Sequence, residues 1–199
     1  MAYFFSAIVV TAASFLLGSV PFGLVIGKVF CGIDPRAGGS GNVGATNVAR
    51  LCGKVWGALT LVCDVLKGFL PVFLCLSSAD NPGRFVYLAG LAVICGHIYS
   101  IFLGGKGGKG VATTVGVFLA LSPAQLVIAG LACLGMIWRS GFVSLGSMTL
   151  VALLPLLFLL SGRWGDCVFS LIVAALVLYA HRGNIERLMR GEEKSWVKR

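Results

Sequence analysis

The chain alternates between long apolar runs and short polar segments rich in glycine, and the runs exceed what the core helices of a water-soluble globule need. Crossing ~30 Å of hydrocarbon takes about 20 apolar residues with few charges. That pattern predicts transmembrane helices near residues 3–27, 55–77, 85–103, 142–161 and 165–181. The segment from Ala2 to Ile26 lacks a basic flank at its start and is longer than the apolar part of a signal peptide, so it is expected to remain as the first span. The stretch 111–138 reads less simply. As one straight helix it would run for ~42 Å, whereas two full crossings would need about 40 residues. Pro123 divides it and favours a hairpin of two short helices that turns at Leu121 to Ala124. The expected fold class is an all-α integral membrane protein, with the whole chain, 1–199, as one domain and no room for a separate soluble one.

Charge decides between the two readings of 111–138, because basic residues collect on the cytoplasmic side of short loops. With the N-terminus outside and the stretch entering and returning, the cytoplasmic segments hold Lys28, Arg36, Arg50, Lys54, Lys106, Lys109, Arg139 and the basic tail, leaving Arg84 and Arg163 outside. A single crossing would put Arg139 and the tail outside, against the rule. The hairpin is therefore expected, with the C-terminus in the cytoplasm. Composition agrees with the bilayer as solvent, since at 58% hydrophobic and 12% charged residues the chain has too little polar surface to cover a globule. The net charge of +9 would suggest nucleic acid in a soluble protein. Its confinement to short segments between spans points instead to lipid head groups and phosphorylated substrates, with no nucleic acid. Seven scattered cysteines form no CxxC pair and read as small apolar packing residues.

Three polar segments carry candidate chemistry. In GIDPRAGGSGNVGATNVAR, Gly32 to Arg50, glycines allow successive backbone N–H groups to turn towards an anion, while Ser40, Asn42, Thr46 and Asn47 add neutral donors and Arg50 a guanidinium fork. A flexible connector would have a similar composition. In GGKGGKG, residues 104–110, Lys106 and Lys109 stand among five glycines before an apolar helix, an arrangement suited to phosphate and equally to a basic cytoplasmic turn. Gly110 follows Lys109 where a Walker A motif would have Ser or Thr. In HRGN, His181 and Asn184 are three apart and face the same way if the helix continues, so imidazole and carboxamide can address one ligand. Within the second span Asp64 and Lys67 are also three apart, and mutual pairing is the expected role of charges in hydrocarbon. His97, in the third span, is a secondary candidate, expected to hydrogen-bond a neighbouring helix.

The seven carboxylates, Asp34, Asp64, Asp80, Asp166, Glu186, Glu192 and Glu193, are dispersed, which argues against a Mg²⁺-dependent phosphotransferase. No GxSxG elbow is present, which argues against a serine hydrolase.

Several motifs in order identify a resemblance that runs nearly end to end. They are GSVPFG at Gly18, GID at Gly32, GSGNVGATN at Gly39, DVLKG at Asp64, GH at Gly96, GGKGVAT at Gly107, SLGS at Ser144 and HRGNIERL at His181. On these the sequence resembles the bacterial acyl-phosphate:glycerol-3-phosphate acyltransferases, the PlsY family. The resemblance implies a seven-helix bundle in the cytoplasmic membrane with its active site towards the cytoplasm. It also implies transfer of a fatty acyl group from acyl phosphate to the 1-hydroxyl of glycerol 3-phosphate, giving lysophosphatidic acid and phosphate; with the carboxylates so dispersed, no cofactor or metal is expected. The HxxxxD motif of other acyltransferases is absent, since Phe102 and Glu186 stand five residues after the two histidines. By similarity Ser40, His181 and Asn184 form the catalytic set, and Asn42, Asn47, Arg50, Lys106 and Lys109 bind substrate phosphate; Lys106 belongs to an extra GGK repeat. A membrane carrier for organic phosphates would also combine basic glycine-rich loops with spans, but would show internal repeats and a site at the midplane, and neither is evident.

Overall fold

The structure, a computed structural model, describes residues 2–78, 83 and 85–196. Asp80, Arg84, Lys198 and Arg199, which entered the reading of carboxylates and sidedness, lie outside the described residues. The secondary structure is helical: α1 (Ala2–Ser19), α2 (Phe22–Cys31), α3 (Ala45–Cys52), α4 (Lys54–Leu76), α5 (Val86–Ile98), α6 (Val111–Leu121), α7 (Pro123–Ser140), α8 (Val143–Leu160), α9 (Trp164–Ala180) and α10 (Arg182–Met189), with single 3-10 turns at Pro35–Ala37 and Ile101–Leu103.

Five segments among the described residues are long and apolar enough to cross a membrane, and α9 with α10 makes a sixth if that pair, bent by 59°, is one span. The apolar first span is interrupted at Val20 and Pro21, where the proline cannot donate to the helical ladder, so α1 and α2 are separate helices. The chain breaks at Ser122, within the expected turn, but unevenly. Helix α6 has 11 residues, and at 1.5 Å each its ~16 Å falls short of the hydrocarbon thickness, whereas the 18 residues of α7 reach ~27 Å. The third apolar stretch is helical only to Ile98 and then tightens into the 3-10 turn. Residues 45–52, expected as loop, form the short helix α3.

The chain divides into two compact units, one up to Leu121 and one from Ser122 onwards. In the first, α1 packs on α5, and α4 packs on α3, α5 and α6. Gly18 and Gly96 bring α1 and α5 backbone to backbone, since a Cβ on either would collide with a carbonyl of the other helix. Val72, Ala89, Val93, Ile94, Val117 and Phe118 fill the interior. Phe30 of α2 stacks on Trp56 of α4 with ring centroids 4.4 Å apart, which fixes where α2 delivers the chain into the first polar loop. In the second unit α8 packs between α7 and α9 around Leu154, Phe158, Val173 and Val177. Arg163 ties its turn together, pairing with Asp166 at 2.7 Å and donating to Ser122 Oγ at 2.5 Å. Large apolar side chains remain on the outside of both units, among them Phe4, Phe5, Val62 and Leu66 in the first and Val127, Leu131, Leu134 and Trp138 in the second, as lipid-facing helices require.

Candidate active site

The first polar loop is organised by one carboxamide. Asn47, on the first turn of α3 and 2% exposed, accepts the Ser40 N–H through Oδ1 at 2.7 Å. Its Nδ2 donates to the carbonyls of Pro35 (2.8 Å), Asn42 (2.8 Å) and Gly38 (3.2 Å). The assigned binding residue Asn47 is thus committed to the loop's own backbone. Ser40 sits exposed between Gly39 and Gly41, whose φ values of 61° and 69° need a residue without Cβ. Asn42 Oδ1 accepts the Gly44 N–H at 2.8 Å, an Asx turn that leads the chain into α3. Arg50, half-buried, follows Asn47 by three residues on that helix. At the loop's entry Asp34 accepts from the Arg36 backbone N–H and pairs with its guanidinium at 2.6 Å. The side-chain bonds from Arg36, and then its backbone N–H, hold the Asp34 carboxyl down at about 2.

The second loop is held from the preceding helix. Gly107 and Gly108 donate to the carbonyls of Ile98 (2.9 Å) and His97 (3.0 Å), and Gly105 donates to that of Ser100 (2.8 Å), so the chain folds back along the end of α5 before α6 begins. Lys106 is exposed and Lys109 half-buried. Val43 of the first loop and Gly108 of the second line one small cavity, together with Asp64, Lys67, His97 and Ser100, so the first unit brings its two polar loops side by side.

In the second unit the helix bends at His181 rather than running straight, and the bend makes the HRGN segment a corner. Asn184 N–H donates to the His181 carbonyl at 2.8 Å, which preserves the expected i, i+3 neighbourhood across the bend. The His181 ring is 2% exposed and its Nδ1 lies 2.8 Å from the Val177 carbonyl. A carbonyl only accepts, so Nδ1 carries the proton and the lone pair of the neutral ring is on Nε2. Asn184, also buried, donates to Glu193 Oε1 at 2.6 Å. The same carboxylate accepts from Ser144 Oγ at 2.7 Å and from Arg187 Nε at 2.8 Å. Burial works against the ionised form of Glu193, but the three donors outweigh it and keep its pKa below the ordinary glutamate value. The tail that carries Glu193 is pinned by Trp196 N–H to the Gly141 carbonyl at 2.8 Å. In the sequence Glu193 stands only among the dispersed carboxylates and Arg187 only among the basic residues of the tail, because no local pattern joins a polar tail to a residue nine positions back; Ser144 is visible only as part of SLGS.

Chemically, the first unit gathers backbone amides, hydroxyls, a guanidinium and two ammonium groups, which suit anions, and the second offers an imidazole with a fixed tautomer beside a carboxamide. Among the described residues no group of three His, Cys, Asp or Glu side chains comes together as a metal site would require.

Comparisons with known proteins point the same way. The family model described as glycerol-3-phosphate acyltransferase matches residues 8–191. The glycerol-3-phosphate acyltransferase of Nitratidesulfovibrio vulgaris is 58% identical over 94% of this chain, which spans 57% of that protein's length. That of Desulfovibrio desulfuricans is 54% identical over 94% of this chain and 83% of its own, and that of Lawsonia intracellularis 50% identical over 92% of each. Two crystal structures of PlsY, an integral membrane glycerol 3-phosphate acyltransferase, superpose with TM-scores of 0.90 for its glycerol 3-phosphate form and 0.87 for its lysophosphatidic acid form, each at 39% identity and covering 96% of both chains. With the family model matching most of its length, the chain belongs to the glycerol-3-phosphate acyltransferase family.

Proposed function

We propose that this protein transfers a fatty acyl group from acyl phosphate to the 1-hydroxyl of glycerol 3-phosphate, releasing phosphate and forming lysophosphatidic acid. The observation that carries the reading is that the two glycine-rich family motifs meet at one small cavity of the first unit, through Val43 and Gly108; the same motifs carry Ser40, Arg50, Lys106 and Lys109, donors suited to phosphate. Acyl phosphate is a mixed anhydride and already activated. The acyl carbon–oxygen bond to phosphate breaks as the bond to the glycerol oxygen forms, the phosphate leaves with the electron pair, and the hydroxyl proton passes to a substrate phosphate or to Nε2 of His181. The protein's task is to hold two anions and to stabilise the oxyanion and departing phosphate. Arg50 and Lys109 bind phosphate, Ser40 donates its hydroxyl to phosphate or oxyanion, Asn42 and Asn47 shape the loop that offers it, and Lys106 adds long-range attraction from its exposed position. Asn184 and His181 make up the rest of the catalytic set. No cofactor or metal enters this scheme.

The reading places the whole chain as one acyltransferase domain of seven transmembrane helices in the bacterial cytoplasmic membrane, N-terminus outside, with its polar loops and tail in the cytoplasm among membrane lipids. A single cysteine at position 194 should then be labelled only from the cytoplasmic side; labelling from outside defeats the topology. The activity is tested by giving the purified protein in lipid both acyl phosphate and glycerol 3-phosphate. Phosphate release stoichiometric with lysophosphatidic acid, and intersecting lines when both substrates are varied, are expected. Parallel lines with an acyl group trapped on Ser40 would replace direct transfer by an acyl-enzyme. Phosphate uptake by vesicles without acyl product would favour the carrier.

A further inference from the structure

The proposed reaction leaves unused three heavily buried ionisable groups of the first unit, Asp64, Lys67 and His97. Asp64 and Lys67, both on α4 and about 3–4% exposed, pair at 2.7 Å, and Lys67 also donates to the Val20 carbonyl at 2.9 Å, at the break between α1 and α2. His97 of α5 is 7% exposed; its Nδ1 lies 2.9 Å from Thr113 Oγ1 on the first turn of α6 and 3.7 Å from Asp64 Oδ1. Ser100, at the end of the same segment, donates to the Ser19 carbonyl at 2.5 Å. Charges in an apolar bundle cost free energy, and a pair could be replaced by packed apolar residues with little loss of stability, so stability alone is a weak reason to keep them.

What they touch supplies a better reason. The loop 104–110 rests on this network: Gly107 and Gly108 donate to the carbonyls of Ile98 and His97, and Thr113 lies in the first turn of the helix that receives the loop. At Gly108 a Cβ would collide with the His97 ring, and at Gly107 with the His97 carbonyl, so the loop lies directly on this histidine. Lys109 is therefore flanked by a residue that packs on His97 and, four positions on, by the hydroxyl that bonds to it. We propose that the buried network of Asp64, Lys67, His97 and Thr113 is a positioning device for the Lys106–Lys109 loop, fixing the direction of the Lys109 ammonium towards substrate phosphate. The inference rests on the proposed role of Lys109. His97 and Thr113 are positioning residues, since they act through the loop.

The test is a double-mutant cycle between Thr113 and Lys109 in the full-length protein. Thr113→Val keeps the side chain's volume and removes the hydroxyl. In the otherwise native protein it should lower kcat/KM for the phosphorylated substrate that Lys109→Ala most affects by about tenfold. Thr113→Ser should restore most of that loss. In the Lys109→Ala background the same Thr113→Val change should cost less than about twofold, because nothing remains to be aimed. An equal loss in both backgrounds would make Thr113 a general packing residue and overturn the proposal. So would full activity of Thr113→Val. If Lys109→Ala turns over normally, the parent reading fails, and with it this one. If the double variant falls below detection or Thr113→Val does not assemble, amide exchange in His97→Gln decides. Faster exchange confined to residues 104–110 supports the network's hold on the loop, and unchanged exchange there refutes it.

Discussion

The two glycine-rich loops of the first unit reach similar ends by different means. The loop around Ser40 is braced from within: Asn47, a few residues downstream, gathers one amide and three carbonyls onto a single side chain. The loop around Lys109 is braced from beneath, by carbonyls of α5 and a polar network that spans α4, α5 and α6. Local bracing needs α3 docked on α4 and the loop's Pro35 and Val43 seated on Gly27 and Gly23 of α2; remote bracing makes the second loop report on the packing of α4, α5 and α6 together. The first loop is thus expected to keep its shape when distant helices are perturbed, and the second is not.

The largest effects should come from the cations that the loops carry, which separate the contribution of charge from that of bracing. Lys109→Ala and Arg50→Ala are expected to lower kcat/KM by about 100-fold or more while thermal midpoints stay within about 2 °C, because each removes a proposed phosphate partner outside the apolar core. Normal turnover with a lowered midpoint, read by the coupled phosphate assay and by thermal aggregation, would make them ordinary residues of a positive-inside surface.

An intermediate effect is expected from the brace itself. Asn47→Ala should reduce activity by about 10–100-fold, with faster exchange of the Ser40 amide and none at Gly107 or Gly108. Exchange spreading into the second loop would show that the two loops are one mechanical body, and the contrast between local and remote bracing would fall.

How much of this was legible in the sequence follows from the range of each interaction. Membrane crossing, the break near Pro123 and the pairing of Asp64 with Lys67 depend on runs and on i, i+3 spacing, and all could be read directly. His97 was expected to bond a neighbouring helix, and its partner is Thr113 of α6, which no spacing rule singles out across 16 residues. The break at Pro21 was present in the sequence, but an unbroken apolar run overrode it. Helix α3 was hidden because Gly44 and Asn42 look like loop residues, while only the docked Val48, fully buried, shows why the segment after them is helical. Asn47 read as a ligand for substrate because its type and neighbourhood suit that role; its four bonds to the loop depend on a fold-back that composition does not encode.

The smallest effects sharpen the comparison by setting an exposed brace against a buried one. Asp34, at the entry of the first loop, and Glu193, beneath Asn184 in the second unit, are both held below their ordinary pKa by hydrogen bonds from arginine and other donors. A carboxylate with a depressed folded pKa stabilises fully above its unfolded value and loses that contribution as pH falls through the folded one. For Glu193 the loss begins near the ordinary 4.5 and continues below it. With its side chain 8% exposed and three donors to satisfy, Glu193→Gln should lower the thermal midpoint by about 2–6 °C at neutral pH and flatten its fall in acid. Asp34 titrates from 3.8 down to about 2, but its side chain is 28% exposed and its pair with the exposed Arg36 is screened by water, so Asp34→Asn should change neither the midpoint nor turnover measurably. Asparagine can still accept the Arg36 N–H and retain the turn. A midpoint shift for Asp34→Asn as large as that for Glu193→Gln would mean that the depressed pKa, and not burial of the acceptor, sets what these carboxylates contribute.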